Sequence, residues 1–258
     1  MKISILELCL LFLLLLSGCT GYQYIAPPQY VPVNLQKGKL NANFSFNYYQ
    51  LGYTLSDKFS VYTTGYYRNN QGGFIHSTIL EKENGGAYIQ TDKQKEFDLG
   101  MTFFKSIDNY FSYEIVSGVG SGSVEYSNTQ DLFHDYEFSF NSKKLSLYVQ
   151  PDFSFSLDKY MDITIFSRIN YGRYYDMNKS LILGEKHEPE KYDQHFYDRK
   201  NVNTLFFEPG IQYRVGWENI KFQLLYTRIF DLKNTGIQYR HNNLYLGLSL
   251  KLNLMKKH

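Results

Sequence analysis

Leu205-Phe206-Phe207-Glu208-Pro209-Gly210-Ile211-Gln212-Tyr213-Arg214-Val215-Gly216-Trp217 is the stretch that decides the fold. Its odd positions, from Leu205 to Trp217, are all apolar or aromatic or proline. Its even positions, apart from Phe206, are polar or glycine. Successive side chains of a strand point to opposite sheet faces, so a period of two means a strand with one greasy face. Such a strand belongs either to a soluble sheet with one buried face or to a barrel wall between lipid and lumen.

Segments of the same kind recur through the chain, about ten of them, within the range of bacterial barrels. Leu40, Ala42, Phe44 and Phe46 share one face, as do Leu51, Tyr53 and Leu55. Phe97 to Phe103, Phe111 to Val119, Leu145 to Phe155, Met161 to Tyr171, Ile220 to Tyr226 and Leu244 to Leu254 alternate in the same way. Between them the connections alternate in length. Ser56-Asp57-Lys58, Ile107-Asp108-Asn109, Asp158-Lys159 and Glu218-Asn219 are tight turns. The stretches 69–95, 122–141, 176–203 and 231–242 are longer and polar. The first of these holds Glu83-Asn84-Gly85-Gly86, a hairpin signal. Short periplasmic turns and long extracellular loops are the habit of outer-membrane barrels. The expected fold is therefore all-β, an antiparallel up-and-down transmembrane β-barrel of about ten strands spanning residues 38–258.

The amino terminus supplies an address. Lys2, the apolar run Leu8 to Leu16 and the small pair Ser17-Gly18 have the three-part design of a secretory signal, residues 1–18. The run is too short to span a bilayer as a helix, which takes about 20 residues. Leu16-Ser17-Gly18-Cys19 resembles the lipobox of bacterial lipoproteins, which implies cleavage before Cys19 and acylation of its thiol. The other cysteine, Cys9, lies within the signal, so no disulfide is expected in the mature chain. Residues 19–37, with Pro27, Pro28 and Pro32, are expected to form a lipidated periplasmic tether, extended and unable to pair regularly. Even strand parity puts both termini on the periplasmic side, with the lipid in the periplasmic leaflet and the loops extracellular.

Composition agrees. Aromatics make up 18% of the chain, with 25 Tyr and 20 Phe, types that favour strands and membrane interfaces. The mean hydropathy of −0.40 excludes a helical membrane protein but not a barrel, whose alternating strands average out. A net charge of +2 gives no reason to expect nucleic acid.

The lipobox, the Pro-rich stretch leading to Gly38, and the hairpin Phe207-Glu208-Pro209-Gly210-Ile211 through Glu218-Asn219-Ile220-Lys221-Phe222 resemble small outer-membrane β-barrel lipoproteins of the Bacteroidota. Val149-Gln150-Pro151-Asp152-Phe153 through Asp158-Lys159-Tyr160 echoes that hairpin. The resemblance implies a fold and a location, and no activity.

Glu114, Asp152, Arg168, Glu208, Gln212 and Arg214 lie on the polar face and are expected to form a polar network that plugs the lumen. Glu208 or Asp152 should pair with Arg168 or Arg214, because buried charges need partners. Pro151 and Pro209 each remove a ladder donor in a wall without edges, so a bulge or a missing hydrogen bond is expected at each. His134-Asp135, His187 with Glu188 and Glu190, and Asp193 with His195 and Asp198 fall in loops. They carry no catalytic or metal motif, so neither an enzyme, a cofactor nor a metal is expected. The chain is expected to be a structural or accessory component, anchored in outer-membrane lipid and presenting its loops to a ligand or to a protein partner of an envelope complex. The alternatives are a cell-surface barrel enzyme, protease or lipid hydrolase, of the kind resembling omptins; a narrow pore; and a soluble lipocalin-like barrel on a lipid tether.

Overall fold

A computed structural model describes residues 24–32, 36–72, 88–108, 110–130, 136–183, 200–235, 237 and 239–253. Eleven strands follow in order: β1 (Lys39–Phe44), β2 (Tyr48–Thr54), β3 (Phe59–Gly72), β4 (Tyr88–Ser106), β5 (Phe111–Gln130), β6 (Tyr136–Ser156), β7 (Met161–Leu183), β8 (Val202–Gly216), β9 (Ile220–Arg228), β10 (Phe230–Asp231) and β11 (Asn242–Asn253). β1 to β8 pair antiparallel in sequence order, β8 also pairs with β9, β9 with β11 and β11 with β1, so the sheet closes on itself. β10 continues β9 past Ile229 in the same register on β8. The protein is thus a closed antiparallel barrel of ten strands, as the alternation predicts.

One end of the barrel carries the tight turns. There, Asp108 and Asp158 use their carboxylates as turn acceptors. Asp108 Oδ1 takes the N–H groups of Tyr110 and Phe111, both at 2.7 Å, and Asp158 Oδ1 those of Tyr160 and Met161 at 2.6 and 2.8 Å. The opposite end carries the short β1–β2 turn at residues 45–47 together with the longer connections. These are shorter than the sequence predicts, because β5 runs on to Gln130, β6 starts at Tyr136 and β7 reaches Leu183. Pairing persists where the outward face has turned polar, since a backbone ladder does not require an apolar flank. In this extension Ser142 of β6 faces a bulge in β7, where Asp176 takes a positive φ of 53°.

Both prolines interrupt pairing on one side, as expected. The β6–β7 ladder lapses between Asp152–Phe166 and Val149–Ile169, opposite Pro151. The β8–β9 ladder lapses between Gly210–Thr227 and Phe207–Phe230, opposite Pro209. Register is preserved across each gap, so a hydrogen bond is lost and no residue is inserted.

The stretch predicted to lie outside as a tether departs most from expectation. Residues 24–32 run inside the barrel and every one is buried. They descend from the loop end, where Tyr24 O accepts from Arg240 N at 3.0 Å. They pass the middle, where Tyr30 stacks on Tyr62 with ring centroids 4.3 Å apart. The chain reaches the turn end at Gly38, whose N–H donates to Thr54 O at 2.9 Å. The prolines explain why this works. Pro27 and Pro28 bring no N–H into this buried interior. The carbonyls are met by side chains of the wall: Gln94 donates to Ile25 O at 2.9 Å, Tyr245 to Ala26 O, Arg168 to Pro27 O at 3.4 Å, Gln50 to Pro28 O at 2.8 Å and Gln150 to Tyr30 O at 2.8 Å.

Glycines make room for this packing. Gly100 and Gly118 face each other on β4 and β5. Tyr62 of β3 and Tyr148 of β6 lean across them until their hydroxyls meet at 2.7 Å. A Cβ on Gly100 would sit 2.3 Å from Ser117 O and 2.4 Å from the Tyr62 ring. Gly100→Val should therefore destabilise the barrel by about 1–3 kcal/mol, whereas Tyr62→Phe, which keeps the ring, should cost only about 0.5–1.5 kcal/mol. Urea titration of the purified protein would show both losses, and a Gly100→Val midpoint no lower than that of the unsubstituted protein would refute this account of the packing.

Candidate functional site

The inward face of β7 and β8 meets the inner segment at Glu208. Pro209 follows it on the chain, where the β8–β9 ladder has already lapsed. Arg168, on β7, lies directly opposite Glu208 in the register. Its guanidinium approaches Glu208 Oε2 through Nη2 at 2.5 Å and donates through Nε at 2.6 Å. Asn170 Nδ2 donates to Glu208 Oε1 at 3.2 Å. The other two donors come from the inner segment: Tyr24 Oη to Oε1 at 2.7 Å and Gln29 Nε2 to Oε2 at 3.2 Å. Gln29 Oε1 in turn accepts from Thr227 on β9 at 2.6 Å. Glu208 is 0% exposed and Arg168 2%. A carboxylate so buried is stable only if its acceptor sites are filled, and here four side chains fill them.

Two further buried pairs line the wall. Lys144 Nζ lies 2.7 Å from Glu96 Oε1 and also 4.5 Å from the centre of the Tyr24 ring. Lys221 lies 2.7 Å from Asp162 near the turn end. All six residues expected to face the lumen do so: Glu114, Asp152, Arg168, Glu208, Gln212 and Arg214 are buried. Arg168 and Glu208 form the expected ion pair. The other four do not join it. Gln212 donates to Gln223 at 3.2 Å, and Asp152 accepts from Gln150 at 3.1 Å. Glu114 faces Asp152 across β5 and β6, while Arg214 Nε and Nη2 have no hydrogen-bond partner.

Reasoning from the sequence missed Gln50, Gln94 and Gln29. Their signal was present in the strand residues: long neutral amides on an inward face are suited to bonding a main chain laid beside them. The reach of the network into residues 24–32 was not visible, because those residues show no strand period.

Polarity changes along the barrel axis. Toward the turn end, the outer face is apolar. On β6, exposed Leu145, Leu147, Val149, Phe153 and Phe155 alternate with inward Ser146, Gln150, Asp152 and Ser154. Toward the loop end, the inward face gains an apolar cluster beside the inward Asp92, Glu96 and Lys144. There Val124, Tyr126, Phe140, Tyr174, Met177 and Phe206 cluster with Tyr24 and Ala26. Outward positions at that level carry Lys93, Glu125, Lys143 and Arg173. Lys143 and Asp176 form an exposed ion pair at 2.9 Å, and Lys93 and Glu125 one at 3.6 Å.

Among the described residues no group of three or more His, Cys, Asp or Glu side chains could hold a metal ion. Cys19 and the loop candidates His134, Asp135, His187, Glu188, Glu190, Asp193, His195 and Asp198 lie outside the described residues. The chain matches no model of a known protein family and no curated protein.

Replacing Glu208 with Ala leaves the Arg168 guanidinium buried without its partner and should cost about 3–5 kcal/mol. The double change Arg168→Met with Glu208→Leu should recover part of that loss. Thermal unfolding of the purified protein would report both. A Glu208→Ala protein as stable as the unsubstituted one would contradict the role given to this pair.

Proposed function

We propose that the protein is a lipid-anchored outer-membrane barrel whose lumen is closed by its own N-terminal segment. It acts as a structural or accessory component that presents its long loops to a ligand or a protein partner. One observation carries this reading: residues 24–32 fill the lumen and are bonded to wall residues of β2, β4, β6, β7, β8, β9 and β11. A ten-stranded barrel is only slightly wider than the eight-stranded case that side chains fill, so one extended segment suffices to close it.

The apolar outer surface supports a lipid environment over that of a soluble barrel. On β6, exposed apolar side chains run from Leu145 to Phe155. At about 3.3 Å per residue and a tilt of about 40°, that span rises about 25 Å, the height of the apolar band of outer-membrane barrels. The change of outer polarity beyond it supports placing the loop end in water. Acylation of Cys19 rests on the lipobox alone.

A chain that closes its own lumen should not conduct. Full-length protein in planar bilayers is expected to show no current steps. A chain lacking residues 24–32 is expected to show them, while still migrating differently before and after boiling on a gel. A shortened barrel that keeps this heat shift and stays silent would sink the closure reading, as would steps from the full-length chain. Loss of acyl labelling in Cys19→Ala tests the anchor separately.

A further inference from the structure

The inner segment has a direction, and that direction decides where the start of the mature chain lies. Tyr24 is bound at the loop end. Its carbonyl accepts from Arg240, and the segment bridges to Tyr239, both in the connection between β10 and β11. Its ring stacks on Phe206 with centroids 4.6 Å apart and planes within 5°, inside the apolar cluster of the loop end. From there the chain runs one way only, past Pro28 at Gln50 and Tyr30 at Gln150, to Gly38 beside Thr54 at the turn end.

We infer that the chain before Tyr24 leaves the barrel through the loop-end mouth, so that an acyl group on Cys19 meets lipid on the same side as the long loops. This rests on the membrane placement and acylation proposed above and changes the leaflet expected from strand parity. Parity puts Lys39 and Asn253 together at the turn end, but it says nothing of a chain that crosses the lumen before β1.

Reach excludes the other leaflet. Five residues separate Cys19 from Tyr24 and span at most about 18 Å when fully extended. Arg240, which holds Tyr24, lies just outside β11, and β11 runs from Asn242 to Asn253 at the turn end. At about 3.3 Å per residue and a tilt of about 40°, that strand alone rises about 28 Å. The direct route down is also occupied by residues 24–32 themselves. A path outside the wall would carry unpaired backbone polar groups through lipid. The segment therefore works as an internal stay: acyl chains at one mouth, β1 at the other, and the Glu208 bonds between them.

Single introduced cysteines test this, because Cys9 is removed with the signal and Cys19 is blocked by lipid. Gly21→Cys and Gln23→Cys report on the N-terminal end, Lys233→Cys on the loop end and Lys58→Cys on the turn end. Cells expressing each full-length chain are treated with a membrane-impermeant maleimide, intact or after the outer membrane has been opened. Gly21→Cys and Gln23→Cys are expected to label on intact cells as Lys233→Cys does, and Lys58→Cys only after opening. If both label only with Lys58→Cys, or not at all, the inference is overturned. If Lys58→Cys and Lys233→Cys label alike, the membrane placement itself fails, and labelling of the unsubstituted chain would show that Cys19 is not acylated. Either result removes the premise and the inference with it.

Discussion

The Glu208 carboxylate ties wall to filling. Arg168 and Asn170 reach it from β7, Tyr24 and Gln29 from the inner segment. A carboxylate buried in the wall of a filled barrel is shielded from bulk solvent, so its neighbours must supply its hydrogen bonds. Two come from a part of the chain that would otherwise have no reason to be inside. The same charge that makes the wall costly to close empty makes the inner segment stable where it lies. Buried ion pairs are weak evidence for stability in general, because desolvation offsets attraction. Here the pair is better understood as a device for position: it specifies which residues of the inner segment sit at which level of the barrel.

The inner segment suits its place for a second reason. It makes no regular ladder, and its prolines carry no donor. What it offers the wall is a row of carbonyls, and the wall offers amides, an arginine and a tyrosine in return. Three of its nine residues are proline, so it brings fewer N–H groups than a regular strand would, and Gln94 Oε1 accepts that of Ile25 at 3.3 Å. The tyrosines that flank it exploit the same economy of space. Tyr62 and Tyr148 occupy ground left free by Gly100 and Gly118, and Tyr30 covers Gly52, whose Cβ would lie 1.7 Å from the Tyr30 hydroxyl.

The outer face of the barrel changes character along its axis, and the inner face gains apolar side chains beside its charges. Toward the turns, the polar face is inside and the apolar face outside. Toward the loops, Val124, Tyr126 and Phe140 point inward and Lys143 and Arg173 outward. A strand of constant pairing can therefore pass between two environments by exchanging the identities of its two faces. In β5 and β6 that exchange made the upper parts look like loops in sequence, because the expected greasy face had moved to the other side. The ladder itself continues unbroken through it on β5 and β6.

Much of the fold was legible along the chain because strand alternation and turn chemistry are local. Leu205 to Trp217, the Asp108 and Asp158 turns and the two interrupting prolines all act on their nearest neighbours. The six lumen residues could be named for the same reason, since period two assigns each to a face. Which of them pair was only partly legible: Arg168 pairs with Glu208, which faces it across β7 and β8, while Asp162, which faces Arg214 in the same register, is held by Lys221. By itself the sequence determined an antiparallel sheet of about ten strands with one apolar and one polar face, since face and turn are written locally. Only the tertiary structure decided that residues 24–32 fill the interior, because a segment without period takes its place from the cavity and the long-range hydrogen bonds that receive it.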